Sequence, residues 1–138
     1  MQPVKRFKVL GDVVEVLVNG AMSNGASAVI VEEVRPGAGP PPHRHINEDE
    51  TFIVLEGEFE VLGDGEWRSI AKGEAVYGPR GLIHTFRNSG ETLGRLLIFI
   101  APAGLENYLE EISPYSPGTD MAKILEISNR YGISFHLG

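Results

Sequence analysis

The feature that most constrains this chain is its punctuation. From Val13 to about Ile100 each apolar run is broken after a few residues by glycine, proline, asparagine or aspartate. Short β-branched or alternating runs bounded by such turn residues build sandwiches and barrels, whereas helices need a longer unbroken 3.6-residue period. Glycine and proline supply 17 and 9 of the 138 residues, which fits a turn-rich, all-β architecture. Strands are predicted near 13–18, 28–34, 51–56, 58–62, 67–70, 75–77, 84–88 and 96–100. Gly63, Asp64 and Gly65, and again Asn88, Ser89 and Gly90, offer the positive-φ turn positions that hairpins require.

After Pro102 the period changes. Leu105, Tyr108, Leu109 and Ile112 fall at i, i+3, i+4 and i+7, the spacing of one helix face. A second helix is predicted after Pro117 and Gly118, capped by Thr119 or Asp120. Its face would be Met121, Ile124, Leu125 and Ser128, with Gly132 just past its end. The expectation is one domain over 1–138, a meander or jelly roll with a short C-terminal helical tail over about 104–132. A chain of this size buries about two-thirds of its unfolded surface, enough for a core without the disulfides that the absent cysteines exclude.

Charge narrows the partners. Nineteen acidic against 12 basic residues give a net −7 with no basic cluster, so nucleic acid and anionic membrane surfaces are excluded as expected partners. The longest apolar run, Leu96 to Ala101, is far short of the roughly 20 residues of a membrane-spanning helix. Lys5, Arg6 and Lys8 precede Asp12 and Glu15, which interrupt the apolar stretch of a signal peptide, and a cytoplasmic location is expected.

The chemistry-bearing residues lie in two segments. The first runs from Gly37 through Pro40, Pro41 and Pro42 to His43, His45 and Glu50. Residues two apart on a strand share a face, so both imidazoles can reach one point. Glu50 lies at an odd offset from His45, which requires a turn or bulge between them. If Glu50 faces inward, Phe52 and Val54 follow it, setting a carboxylate above an apolar wall. The second segment, Gly73 to Asn88, delivers His84 directly after the turn of Pro79, Arg80 and Gly81, with Phe86 and Asn88 on the same strand face. Imidazoles with a carboxylate and no thiolate suit one divalent transition metal: iron, manganese, nickel, copper or zinc.

These segments resemble the two signature motifs of the cupin superfamily. The first matches at Gly37, His43, His45, Glu50 and Gly57, and the second at Gly73, Pro79, Gly81, His84 and Asn88. The resemblance covers about 26–102. It implies a double-stranded β-helix (jelly-roll, cupin) barrel with His43, His45, Glu50 and His84 as metal ligands. The tail from Met121 to Phe135 resembles that of bacterial cupins described as similar to quercetin dioxygenase.

Several residues carry plainer expectations. Glu48 and Asp49 are read as solvated acids beside the ligand Glu50, and His136 as a solvated tail histidine. Arg44, between two inward histidines, points outward to an acidic neighbour. Phe52, Phe86 and Phe99 are expected in the core, while Trp67 and Tyr77 are left unassigned. Phe52, Val54 and Phe86 are also expected to wall a substrate pocket. An octahedral cation held by four protein donors keeps two positions for a small molecule that chelates through adjacent oxygens. The expected activity is a metal-dependent, dioxygenase-type oxidoreduction, with Glu50 also moving a substrate proton. The competing readings are a non-catalytic metal or small-ligand sensor and a sugar isomerase or epimerase. Thr51, Ile53 and Leu55, outward between inward neighbours, predict a homodimer unless the helical tail covers them.

Overall fold

In the computed structural model, which describes residues 2–136, alternation along the strands builds a double-layered β-barrel. The chain enters through a hairpin of β1 (Lys5–Val9) and β2 (Asp12–Val18), makes one helical turn, α1 (Gly20–Ser23), and continues into β3 (Ala28–Val34). The first histidine segment forms β4 (His43–His45) and leads into β5 (Asp49–Glu56). Then come β6 (Phe59–Gly63), β7 (Glu66–Ile70), β8 (Ala75–Gly78), β9 (Thr85–Asn88) and β10 (Gly94–Ala101). Helices α2 (Leu105–Ile112) and α3 (Pro117–Arg130) and a last strand, β11 (Ile133–Phe135), complete it. One layer is a six-stranded sheet in the order β1-β2-β3-β10-β5-β8. The sheet β7-β6-β9 and the pair β11-β4 make up the rest of the barrel.

Register sets the interior in rows. Ala28, Ile100 and Glu50 lie side by side across β3, β10 and β5; the next inward row is Ile30, Ile98 and Phe52, and the next Glu32, Leu96 and Val54. The apolar members are at most 2% exposed, and Phe59, Val61 and Phe86 meet them from the smaller sheet. Burying each such side chain stabilises the fold by about 1.5–3 kcal/mol, so the rows are the main source of cohesion.

The helical tail differs in detail from its sequence pattern. Leu105, Tyr108 and Ile112 are buried as the spacing requires, and Leu109 is half-buried. In α3, however, Met121 and Leu125 are exposed, and Ile124, Ile127 and Ser128 form the buried stripe. The cause is a kink: Asp120 leaves helical geometry at φ −120°, so residues before it do not share a face with those after it. Ser116, not Thr119 or Asp120, occupies the N-cap position, and the Asp120 carboxylate accepts a hydrogen bond from the Ser116 N–H. Tyr108 donates its hydroxyl hydrogen to Ser128 Oγ, which donates to the Ile124 carbonyl, pinning α2 to α3.

Three strands lie outside the predicted ranges: β1, β11 and β4, the last being the extended segment whose spacing puts both histidines on one face; β11 pairs with β4. Phe99 is not a core residue; it is 42% exposed on the outer face of β10, opposite Thr51, which in turn faces Tyr77 on β8. The helices make their main packing contacts with β1, β3 and β11. No helix among the described residues is long and apolar enough to cross a membrane.

Candidate metal centre

The site is built by crossing two chain segments. The backbone N–H of His43 donates to the carbonyl of His84 and the reverse bond returns from His84 to His43, at 3.0 and 2.8 Å, while Gly81 N–H donates to the His45 carbonyl. Arg44 is exposed between its two buried neighbours, as alternation demands, and no ion pair to it is found among the described residues. Asp49 and Glu50 split across β5. Asp49 faces the surface and grips Arg80 through its backbone N–H, Nε and Nη2 at 2.9–3.1 Å. Arg80 holds the Asp49 carboxyl down to about 2. This pair fixes the turn before His84, while Glu50 points inward from the next position. Asp49 is therefore a structural anchor and not a free surface acid.

One donor atom from each of His43, His45, Glu50 and His84 lies within 4.8 Å of the others, and all four residues are buried. His45 Nε2 and His84 Nε2 are each 3.0 Å from Glu50 Oε1. Yet His45 Nε2, Glu50 Oε1 and both His84 ring nitrogens lack a well-aligned hydrogen-bond partner. Buried polar atoms left this way cost roughly 1–3 kcal/mol each, and three of them, His45 Nε2, His84 Nε2 and Glu50 Oε1, lie together where a bound cation would satisfy them. The donor set fits the metal that the sequence implies.

The outward ring nitrogens of His43 and His45 are tied down. His43 Nδ1 lies 2.8 Å from the Pro41 carbonyl and His45 Nδ1 3.0 Å from Glu48 Oε1; both acceptors make Nδ1 the donor and leave Nε2 for the metal. Glu48 corrects the sequence reading. It is 6% exposed, and it orients His45 where a solvated acid was expected. Its position three residues after His45 was the only signal available. His84 is placed by absence of bulk: a Cβ on Gly78 would come within 2.9 Å of His84 Nδ1.

Electrostatics separate the histidines. Burial, helped by His45, drives His43 down to about 4. Burial also opposes charge on His45, but Glu50 and Glu48 overcome it and lift His45 to about 9. Glu50 shows the mirror effect: burial raises its pKa, and His45 and His84 outweigh it to hold the carboxylate below its usual range.

A cavity of about 370 Å³ opens onto His43, His45 and Glu50. Phe52, Phe86, Ile98, Tyr108, Ile133 and Phe135 are among its apolar walls, so the tail encloses it on one side. Phe52 and Phe86 are two of these walls. Val54 does not line it; it is 1% exposed in the core one row beyond Phe52. His136 is exposed, as expected of a tail histidine, and Trp67 stacks under the Arg87 guanidinium at 3.8 Å.

With fold and donors in place, the chain belongs to the cupin family: the Cupin domain model matches residues 30–100, just over half of it. It is 38% identical over 58 residues to an uncharacterised protein of Aquifex aeolicus, covering 42% of this chain and 48% of that one. The chain matches about half or less of the length of its curated relatives. Among solved structures, KdgF from Halomonas superposes with a TM-score of 0.66 at 21% identity, over 75% of this chain and 90% of that one, a likeness of fold alone. A predicted oxalate decarboxylase from Thermotoga maritima superposes at 0.61 with 27% identity, over 74% and 93% of the two chains.

Proposed function

We propose that this cupin is a metal-dependent enzyme acting on a small organic substrate that chelates through adjacent oxygens. The observation that carries this reading is the cavity, because His43, His45 and Glu50 form part of its wall and a ligand entering it meets the donor cluster directly. A site closed on all sides by protein would read as structural. When bound, a divalent transition metal supplies Lewis acidity, and with iron, manganese or copper also redox chemistry toward dioxygen.

The protein's own residues do the rest. Phe52, Phe86, Ile98 and Phe135 exclude water and favour a planar or aliphatic body over a densely hydroxylated sugar. Glu50 contributes charge as a ligand. Its depressed pKa makes it a weak proton acceptor, so proton transfer through Glu50 is the part of the reading that Glu50→Gln tests most sharply. We further propose that a second copy of the chain covers the outer face carrying Phe99, Ile53 and Tyr77. Light scattering at micromolar concentration should give a dimer mass, and Phe99→Glu should give a monomer.

The functional test is direct. Full-length protein reconstituted separately with iron, manganese, nickel and copper should change its visible spectrum on adding 3-hydroxyflavone or tropolone, and a redox-active form should consume dioxygen with a chelating substrate. Spectral change without turnover in any metal form would make the protein a binding module.

A further inference from the structure

The far end of the cavity carries a carboxyl group that the metal centre does not use. On β3 the inward positions are Ala28, Ile30, Glu32 and Val34; three are apolar and fully buried, and the fourth is Glu32. Its row lies two inward steps from that of Glu50, about 13 Å along the strands. Glu32 is half-buried and lines the same cavity as His43, His45 and Glu50. Among the described residues, no group hydrogen-bonds its carboxyl. Arg35, which lines the same cavity, is engaged elsewhere: its Nε donates to Asp12 Oδ1 at 2.8 Å and its Nη2 to the Leu10 carbonyl at 3.0 Å.

The cavity therefore has two polar poles and an apolar middle. Resting on the reading of the metal centre as a site for chelating substrates, we propose that Glu32 is a specificity-determining residue. It hydrogen-bonds a neutral oxygen, hydroxyl or carbonyl, at the end of the substrate remote from the metal, and it rejects a carboxylate or phosphate there. The substrate class is thereby narrowed to a molecule with chelating oxygens at one end, an apolar body and an uncharged polar group at the other.

The electrostatics agree. Burial, reinforced by the negative charges of Asp12 and Glu50, pushes Glu32 up to about 8, so at neutral pH it is largely the protonated acid. A protonated carboxyl donates one hydrogen bond and accepts others, which suits a hydroxyl or carbonyl. An anion would face the Asp12 carboxylate on the same cavity wall, and Arg35 is already paired.

The test uses full-length, nickel-loaded protein and three probes that chelate identically: 3-hydroxyflavone and its 4′-hydroxyl and 4′-carboxylate derivatives. Kd is read from the chelation band, and metal content is checked for every variant. Wild type should bind the 4′-hydroxyl probe about three- to tenfold more tightly than the unsubstituted one, and the carboxylate most weakly. Glu32→Leu should erase the hydroxyl advantage, bringing the Kd ratio of the hydroxyl and unsubstituted probes to about one. Glu32→Gln should keep that advantage and bind the carboxylate better, which serves if the leucine variant folds poorly. A general structural defect would move all three probes together. If wild type binds the probes without preference, or Glu32→Leu retains the preference, the role of Glu32 is overturned and the chelating site stands. If no probe shifts the spectrum of loaded wild type, the chelation reading falls and this inference with it.

Discussion

The metal centre and the tail that encloses it are built by opposite means. At the centre, directed bonds hold the donors: His43 by the reciprocal backbone bonds with His84 and by Pro41, His45 by Glu48 and by the Gly81 N–H, and the turn before His84 by Asp49 and Arg80. The tail relies more on packing and on pairs at or near the surface: the apolar stripe of α2 and α3, the Tyr108 and Ser128 pair, Glu111 with Arg130 and Tyr131, Lys5 with Glu110, and three paired residues of β11 on β4. The difference shows which part must keep its shape without a ligand and which part can yield. Donor geometry has to be held to tenths of an ångström, whereas a cavity wall needs only to exclude water.

The largest expected effect breaks the centre. His84→Ala should remove a donor from the heart of the cluster and abolish most metal uptake by elemental analysis, with the fold retained by circular dichroism. Full stoichiometric uptake would mean that the other three donors suffice. Glu48→Gln comes next. The amide can still accept from His45 Nδ1, but it loses the charge that makes the imidazole basic, and orienting carboxylates of this kind are worth about 10–100-fold in metal affinity. Competition with a chromophoric chelator measures it, and an unchanged Kd would reduce Glu48 to packing.

On the tail side, Ile133→Ala removes a side chain that is 4% exposed and lies opposite His45 in the β11–β4 pair. A loss of about 2–4 kcal/mol in urea unfolding is expected from the vacated volume. If metal affinity falls in parallel, the tail helps to set the donors; if only stability falls, the centre is held by its own bonds, as the contrast above requires.

The same contrast explains what the sequence disclosed. The two histidine segments were legible because alternation and turn residues are local: His43 and His45 share a face by parity, and the turn of Pro79 and Gly81 precedes His84 whatever the rest of the chain does. Glu48 and β11 were not legible. Glu48 is buried because the chain turns between His45 and Asp49, a path no periodicity records, and β11 exists because a three-residue segment meets β4 some ninety residues away in sequence. Phe99 misled for a related reason. It lies in a run apolar on both faces, where composition cannot tell inside from outside, and only the pairing with Thr51 puts it outward.

The smallest effect expected sharpens the comparison by pH, in chelator-treated protein. His45 rises from 6.5 to about 9 on folding, so the stability it contributes is full below pH 6.5 and is lost as pH rises through 9. Glu32, raised from 4.5 to about 8, acts in the same sense: the fold favours its protonated form and loses that advantage as pH rises toward 8. His43, lowered from 6.5 to about 4, acts oppositely, but its gain is complete by pH 6.5. Between pH 6.5 and 8 the falling contributions stand unopposed by His43, each with a limiting slope of about 1.4 kcal/mol per pH unit. The urea midpoint of metal-free protein should therefore drop across this window. Glu32→Gln should flatten the slope by removing one group at the end of the cavity remote from the metal centre. Metal binding should flatten it from the other end, because a ligating His45 has already released its proton. Proton release on adding zinc at pH 7.5, followed with an indicator dye, isolates the metal-centre share. A flat profile in the metal-free protein, together with zinc uptake that releases no proton, would show that His45 is neutral before the metal arrives.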